Sequence, residues 1–107
     1  MTATQAERKR IEEITADLRT HGYVDIEEHR GLHVGARVSH RNERYHDAYA
    51  YGTGNVVALL EYPDSPWSRT YGMPDIEMVM LRDKPRLTES RLMQVAHYHV
   101  TVTEMDR

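Results

Sequence analysis

Seven histidines, one tryptophan and twelve arginines carry whatever site chemistry this chain possesses. It has no cysteine, so thiolate metal sites, thiol nucleophiles and disulfides are all excluded. The histidines stand at His21, His29, His33, His40, His46, His97 and His99. His97 and His99 lie two apart in an alternating run, so a strand there puts both imidazoles on one face, a spacing that can hold a metal ion jointly. Zinc needs at least one further ligand placed by the fold. The structural alternative is a solvated strand face, or a pH-sensitive surface, because imidazole titrates near neutrality.

A second set is Arg37, His40, Arg41, Arg44, Tyr45, His46 and Tyr49. Arginine contacts phosphate and tyrosine stacks on bases, so these types suit single-stranded nucleic acid, although Glu43 and Asp47 interrupt the run. The third set is Trp67, Arg69 and Tyr71, in a proline-bounded segment. Trp, Tyr and Arg are the types enriched at protein-binding hot spots, and prolines lower the ordering cost of binding. The structural alternative is a Trp67 that folds back and plugs one end of the core. Ser39-His40, Ser65 and Ser68 form no recognised nucleophile arrangement, and no phosphate loop is present, so nothing in the sequence requires catalysis and no cofactor is expected.

These residues must be positioned by one domain, since 107 residues bury a modest core with little room for a deep enclosed cavity. Seventeen acidic against fourteen basic residues give a net charge of −3, which disfavours a protein whose main task is to neutralise a phosphate backbone. No apolar run is long enough to span a bilayer, and the N-terminus lacks the order of a secretory signal, so the expectation is a cytoplasmic protein with no membrane partner. Lys9 and Lys84 are the two lysines and the other twelve basic residues are arginine. Arginine suits planar interface contacts. The same skew follows from a GC-rich genome and points to an actinobacterium or one of its phages. Phenylalanine is absent, so seven tyrosines, six methionines and Trp67 supply the bulky groups.

Residues 4–21 read as an amphipathic helix. Thr4-Gln5-Ala6-Glu7 has capping-box spacing, Ile11, Ile14 and Leu18 share one face, and Gly22 suits a left-handed stop. Such a helix lies across an open end of the sheet, or serves a partner or a second copy of the chain. Short strands follow: Tyr23–Glu28, with Val24 and Ile26 to one side, then Leu32–Ser39, with Leu32, Val34, Ala36 and Val38 to one side. His40–Asp47 reads as an exposed loop. Gly52-Thr53-Gly54 reads as a corner, with Gly54 in a backbone conformation that other residues resist. Val56–Tyr62 reads as a central strand, Pro63–Asp75 as a long loop, Ile76–Arg82 as a strand, and Gln94–Thr103 as a continuous alternating strand. Val56, Val57, Leu59, Ile76, Val79 and Leu81 are the expected core of the sheet.

The segments Ala36–Ser39, Gly52–Tyr62, Ile76–Asp83 and Gln94–Val102 together resemble, by their spacing, the small SH3-like β-barrels. That likeness implies a single antiparallel barrel or strongly curled sheet over residues 23–104, and the N-terminal helix departs from its minimal pattern. It also implies an interaction module for peptides, nucleic acids or other subunits. No Ala-Leu-Tyr-Asp-Tyr-like motif is present, so proline-rich ligand binding is not implied. The reading that follows is a non-enzymatic protein–protein interaction module, with Trp67, Arg69 and Tyr71 as its partner-binding residues, docking on a host or virion protein if phage-encoded. The alternatives are a nucleic-acid-associated module using Arg37, Arg41, Arg44, Tyr45 and Tyr49, and a small metal-dependent enzyme using His97 and His99.

Overall fold

The central strand organises the molecule. The computed structural model describes residues 3–40, 52–83 and 90–103. Within these, helix α1 (Gln5–Thr20) precedes strands β1 (Val24–Asp25), β2 (Arg37–His40) and β3 (Gly52–Glu61). A short helix α2 (Pro66–Tyr71) leads to β4 (Ile76–Arg82), then β5 (Leu92–Ala96), a 3-10 turn (His97–His99) and β6 (Val100–Val102). The strands form one antiparallel sheet in the order β5-β4-β3-β2-β6, and β1 pairs with the far end of β3. The sheet is not closed, and it is mainly β with an N-terminal helix, as the patterning predicts.

Strand β3 is buried on both sides over its second half, and it carries a bulge. Val56 pairs with Met80 and Ala58 pairs with Val79, which leaves Val57 as the extra residue. The bulge turns Val56 and Leu59, three apart, to the same face. There they join Leu32, Ala36, Val38, Ile76, Met78, Met80 and Val95 in the main core, with Val100 and Val102 packed against it. Ala58, Leu60 and Val79 face the other way, and Leu18 of α1 covers them, with Ile11 and Ile14 alongside. The apolar stripe of α1 is thus taken up by its own sheet face rather than by an open end. Five of the six expected core residues are buried; Val57, at the bulge, is half-buried.

The capping box forms as predicted. The Glu7 amide donates to Thr4 Oγ1 at 3.1 Å and the Thr4 amide donates to Glu7 Oε1 at 2.8 Å. The same carboxylate accepts Arg91 Nε at 2.8 Å and Nη2 at 2.5 Å, which ties the first turn of α1 to the entry of β5. This pairing holds the Glu7 carboxyl at about 2, with the Arg91 hydrogen bonds the largest cause.

Several local expectations change. The strand expected over Tyr23–Glu28 is two residues long, and Val24 is exposed while Ile26 packs on the core. Val34 is also exposed, because Gly35 takes a positive φ of 98° and the Ala36 amide bonds the His33 carbonyl, so a turn replaces the first half of the expected Leu32–Ser39 strand. His40 is buried at the end of β2 instead of opening an exposed loop. Residues 52–54 form no corner: they are paired strand, and Gly54 has no positive φ. Glycine is required there for another reason. A Cβ on Gly54 would overlap the Leu81 carbonyl and lie 2.8 Å from Arg82 Cα.

Candidate functional site

The third residue set folds into a local structure that the long-loop expectation missed. Ser65 caps α2 by accepting the Ser68 amide at 3.3 Å, Pro66 begins the helix, and Gly72 ends it in the left-handed region at φ 69°. These signals were present in Ser65-Pro66 and Gly72. Helical spacing puts Trp67 and Tyr71 on one side, with ring centroids 5.3 Å apart and planes tilted by 44°. Trp67 is half-buried and Tyr71 is exposed. Arg69, also exposed, belongs to the last turn of the same helix.

A third aromatic completes this surface. Gln94–Thr103 is not a continuous strand: Ala96 ends β5 and His97–His99 form a 3-10 turn. The turn brings Tyr98 to Trp67, with centroids 6.0 Å apart and planes within 10° of parallel. Tyr98 is about half exposed, at 53%. Its alternation with Val100 and Val102 hid it, since that pattern predicts an inward side chain.

Between the two aromatic elements lies an open cleft of about 260 Å³, lined by Trp67, Pro74, Asp75, Ile76, Glu77, Ala96 and Tyr98. Its polar groups are two carboxylates at the entry of β4. Asp75 is fixed by hydroxyls: Tyr23 Oη donates to Oδ1 at 3.0 Å and Ser65 Oγ donates to Oδ2 at 2.5 Å. Burial and the bond to Asp75 raise the Tyr23 hydroxyl's pKa well above its ordinary value, so it stays a donor. Glu77 accepts Gln94 Nε2 at 3.2 Å. Burial, with neighbouring Asp75 adding to it, raises the Glu77 carboxyl. Among the described residues neither carboxylate has an arginine or lysine partner.

The histidine pair is not held on one strand face. His97 meets the His29 ring edge-on at 5.2 Å, while His99 lies 6.0 Å from His40, so the two imidazoles engage different neighbours. Burial foremost, then the proximity of His29, lowers the His97 pKa. No group of three or more metal-ligating side chains is gathered among the described residues.

Of the nucleic-acid set, Arg41, Arg44, Tyr45 and Tyr49 lie outside the described residues. Arg37 grips Asp83 with two hydrogen bonds, Nη1 to Oδ1 at 3.0 Å and Nη2 to Oδ2 at 2.7 Å, and Nη1 also reaches Asn55 Oδ1 at 2.9 Å. That fork braces β2, β3 and the end of β4. No helix among the described residues is long and apolar enough to cross a membrane. Comparison with protein-family models, with curated proteins and with solved structures returns no match.

Proposed function

We propose that this chain is a protein-interaction module that docks a partner segment on the cleft between α2 and the 3-10 turn. Trp67, Tyr71 and Tyr98 are its anchors and Arg69 stands on the same helix at the rim. The observation that carries this reading is the meeting of Trp67 and Tyr98, from two distant parts of the chain, at one cleft, with Tyr71 against Trp67 beside it and both tyrosines about half or more exposed. Aromatic anchors beside a desolvated pocket are the usual source of binding energy at protein interfaces. The cleft volume, about 260 Å³, falls just below the roughly 300 Å³ at which drug-sized ligand sites begin, which suits a single inserted side chain better than a cofactor. An SH3-like barrel is part of the same reading. It is supported by the β5-β4-β3-β2-β6 order and by the short 3-10 turn joining the two edge strands.

The test selects a random-peptide library on the immobilised protein and re-measures the enriched peptides on Trp67→Ala and Tyr98→Ala. Each substitution is expected to weaken binding by about 1–2 kcal/mol or more, roughly fivefold to thirtyfold. Trp67 belongs to neither buried cluster, so its loss removes two ring contacts, worth about 0.5–1.5 kcal/mol each, and leaves the fold intact. Undiminished peptide binding by a folded Trp67→Ala protein would remove this cleft from the interface.

A further inference from the structure

The cleft's chemistry specifies what its occupant carries. We propose that the partner inserts an arginine side chain, its guanidinium packing against the stacked Trp67–Tyr98 pair and bonding to the carboxylates of Asp75 and Glu77. This deepens the docking reading above and rests on it.

Three features of the cleft converge on this ligand. First, one wall is aromatic. Trp67 and Tyr98 stack with centroids 6.0 Å apart and planes within 10° of parallel, and aromatic faces carry the negative side of the π quadrupole, which attracts a cation. Second, the floor is anionic. Asp75 and Glu77 enter the same cleft from the entry of β4; their charged neighbours among the described residues are the imidazoles of His97 and His99, and neither carboxylate has an arginine or lysine partner there. The donors that do reach them are neutral: two hydroxyls on Asp75 and one amide on Glu77. A carboxylate offers about four lone-pair sites, so acceptor capacity remains on both. Burial already disfavours the charged form of Glu77, and a cation set beside it relieves that cost. Third, the cleft is small and open at the surface, so it admits the end of one long side chain.

These features also select among cations. A lysine ammonium is a compact, strongly hydrated point charge. A guanidinium is planar, more weakly hydrated and forked, so it stacks on an aromatic face while its edge donates to carboxylates. An aromatic wall beside two carboxylates fits the second geometry. The net charge of −3 favours approach of a basic segment as well.

Trp67 is the sole tryptophan, so its emission reads the cleft directly. The blocked tripeptide acetyl-Gly-Arg-Gly-amide is titrated into the full chain, beside its citrulline counterpart, which keeps the shape and loses the charge, and its lysine counterpart. The arginine peptide is expected to change Trp67 emission saturably, with the citrulline peptide at least about tenfold weaker and the lysine peptide between them. Glu77→Gln should weaken the arginine peptide by about fivefold or more at unchanged melting temperature. Glu77 is preferred over Asp75 for this purpose, because Asp75 also holds Tyr23 and Ser65 and its loss disturbs the fold. Equal binding of the arginine and citrulline peptides, no response to the arginine peptide, or an unaltered titration of Glu77→Gln would each overturn the inference. The docking reading fails separately: library-selected peptides that lose affinity with Trp67→Ala yet ignore charge would keep the interface and remove the arginine.

Discussion

Gly54→Ala adds one methyl group where two paired backbones leave no room. Gly54 faces Arg82 across the β3–β4 ladder, and its Cβ would overlap the Leu81 carbonyl and stand 2.8 Å from Arg82 Cα. These obstacles are main-chain atoms of a buried strand, so no side-chain rotation clears them. Relief requires β3 and β4 to part locally, which weakens the pairing that carries both core faces. Overpacking of this kind costs about 1–3 kcal/mol. The stiffer unfolded chain returns about 0.4–1 kcal/mol. At the middle of these ranges the net loss is roughly 1–2 kcal/mol, and at about 4–8 °C per kcal/mol for a domain of this size the melting temperature falls by roughly 5–15 °C. Gly35 supplies the control. It has a positive φ of 98° and open space around its missing Cβ, so its substitution meets conformational strain alone. Asparagine tolerates that conformation, so Gly35→Asn should recover much of what Gly35→Ala loses, whereas Gly54→Asn should be no better than Gly54→Ala. Thermal melts of the four variants decide the matter. A Gly54→Ala protein melting within about 2 °C of the parent would refute the close-approach argument.

The other predictions concern the core, the helix anchor and the cleft. Leu59, 1% exposed, should lose about 2–5 kcal/mol on truncation to alanine, whereas Val57→Ala, at the half-buried bulge, should lose less than about 1 kcal/mol; equal losses in denaturant melts would contradict the assignment of Val57 as the extra residue. Glu7 is held at about 2 in the fold against an ordinary 4.5, so its contribution is complete above pH 4.5 and disappears as the pH falls towards 2. Glu7→Gln should therefore lower the melting temperature at pH 7 and flatten its decline over that acid range, and an unchanged acid profile would remove the Glu7–Arg91 link as its cause. Trp67→Ala and Glu77→Gln, with the peptide titrations already described, test the docking surface and its arginine.

Much of the fold was legible because it depends on short-range pattern. The Thr4–Glu7 box and the Ile11, Ile14, Leu18 stripe specify α1 locally. The apolar runs in β3 and β4 mark central strands wherever they pair. What stayed hidden depends on events between distant segments. Gly54 does not take the backbone conformation its sequence context predicts; its need for glycine comes from Leu81 and Arg82, which no local pattern around it contains. The bulge at Val57 is a mismatch of counting between two strands. Near the site, Trp67 and Tyr71 were marked by residue type, while Tyr98 was not, because the alternation through Val100 and Val102 masked the 3-10 turn that swings it outward. The carboxylates of Asp75 and Glu77 gain meaning only from the aromatic side chains folded beside them.

The 3-10 turn also has a kinetic consequence. It carries the chain from β5, one edge of the sheet, to β6, the other, so β6 reaches β2 only after the strands between them have arranged themselves. Val38 thus meets Val102 across most of the length of the chain, whereas β3 and β4 meet across the short segment holding α2. Closing a long loop must be complete before its contacts give any return, which slows folding of such topologies. The β2–β6 seam, three residue pairs long, is therefore expected to zip last and open first. In native-state hydrogen exchange the amides of β6 should lose protection well before those of β3 and β4, so that the edge carrying the 3-10 turn breathes while the central strands stay shut.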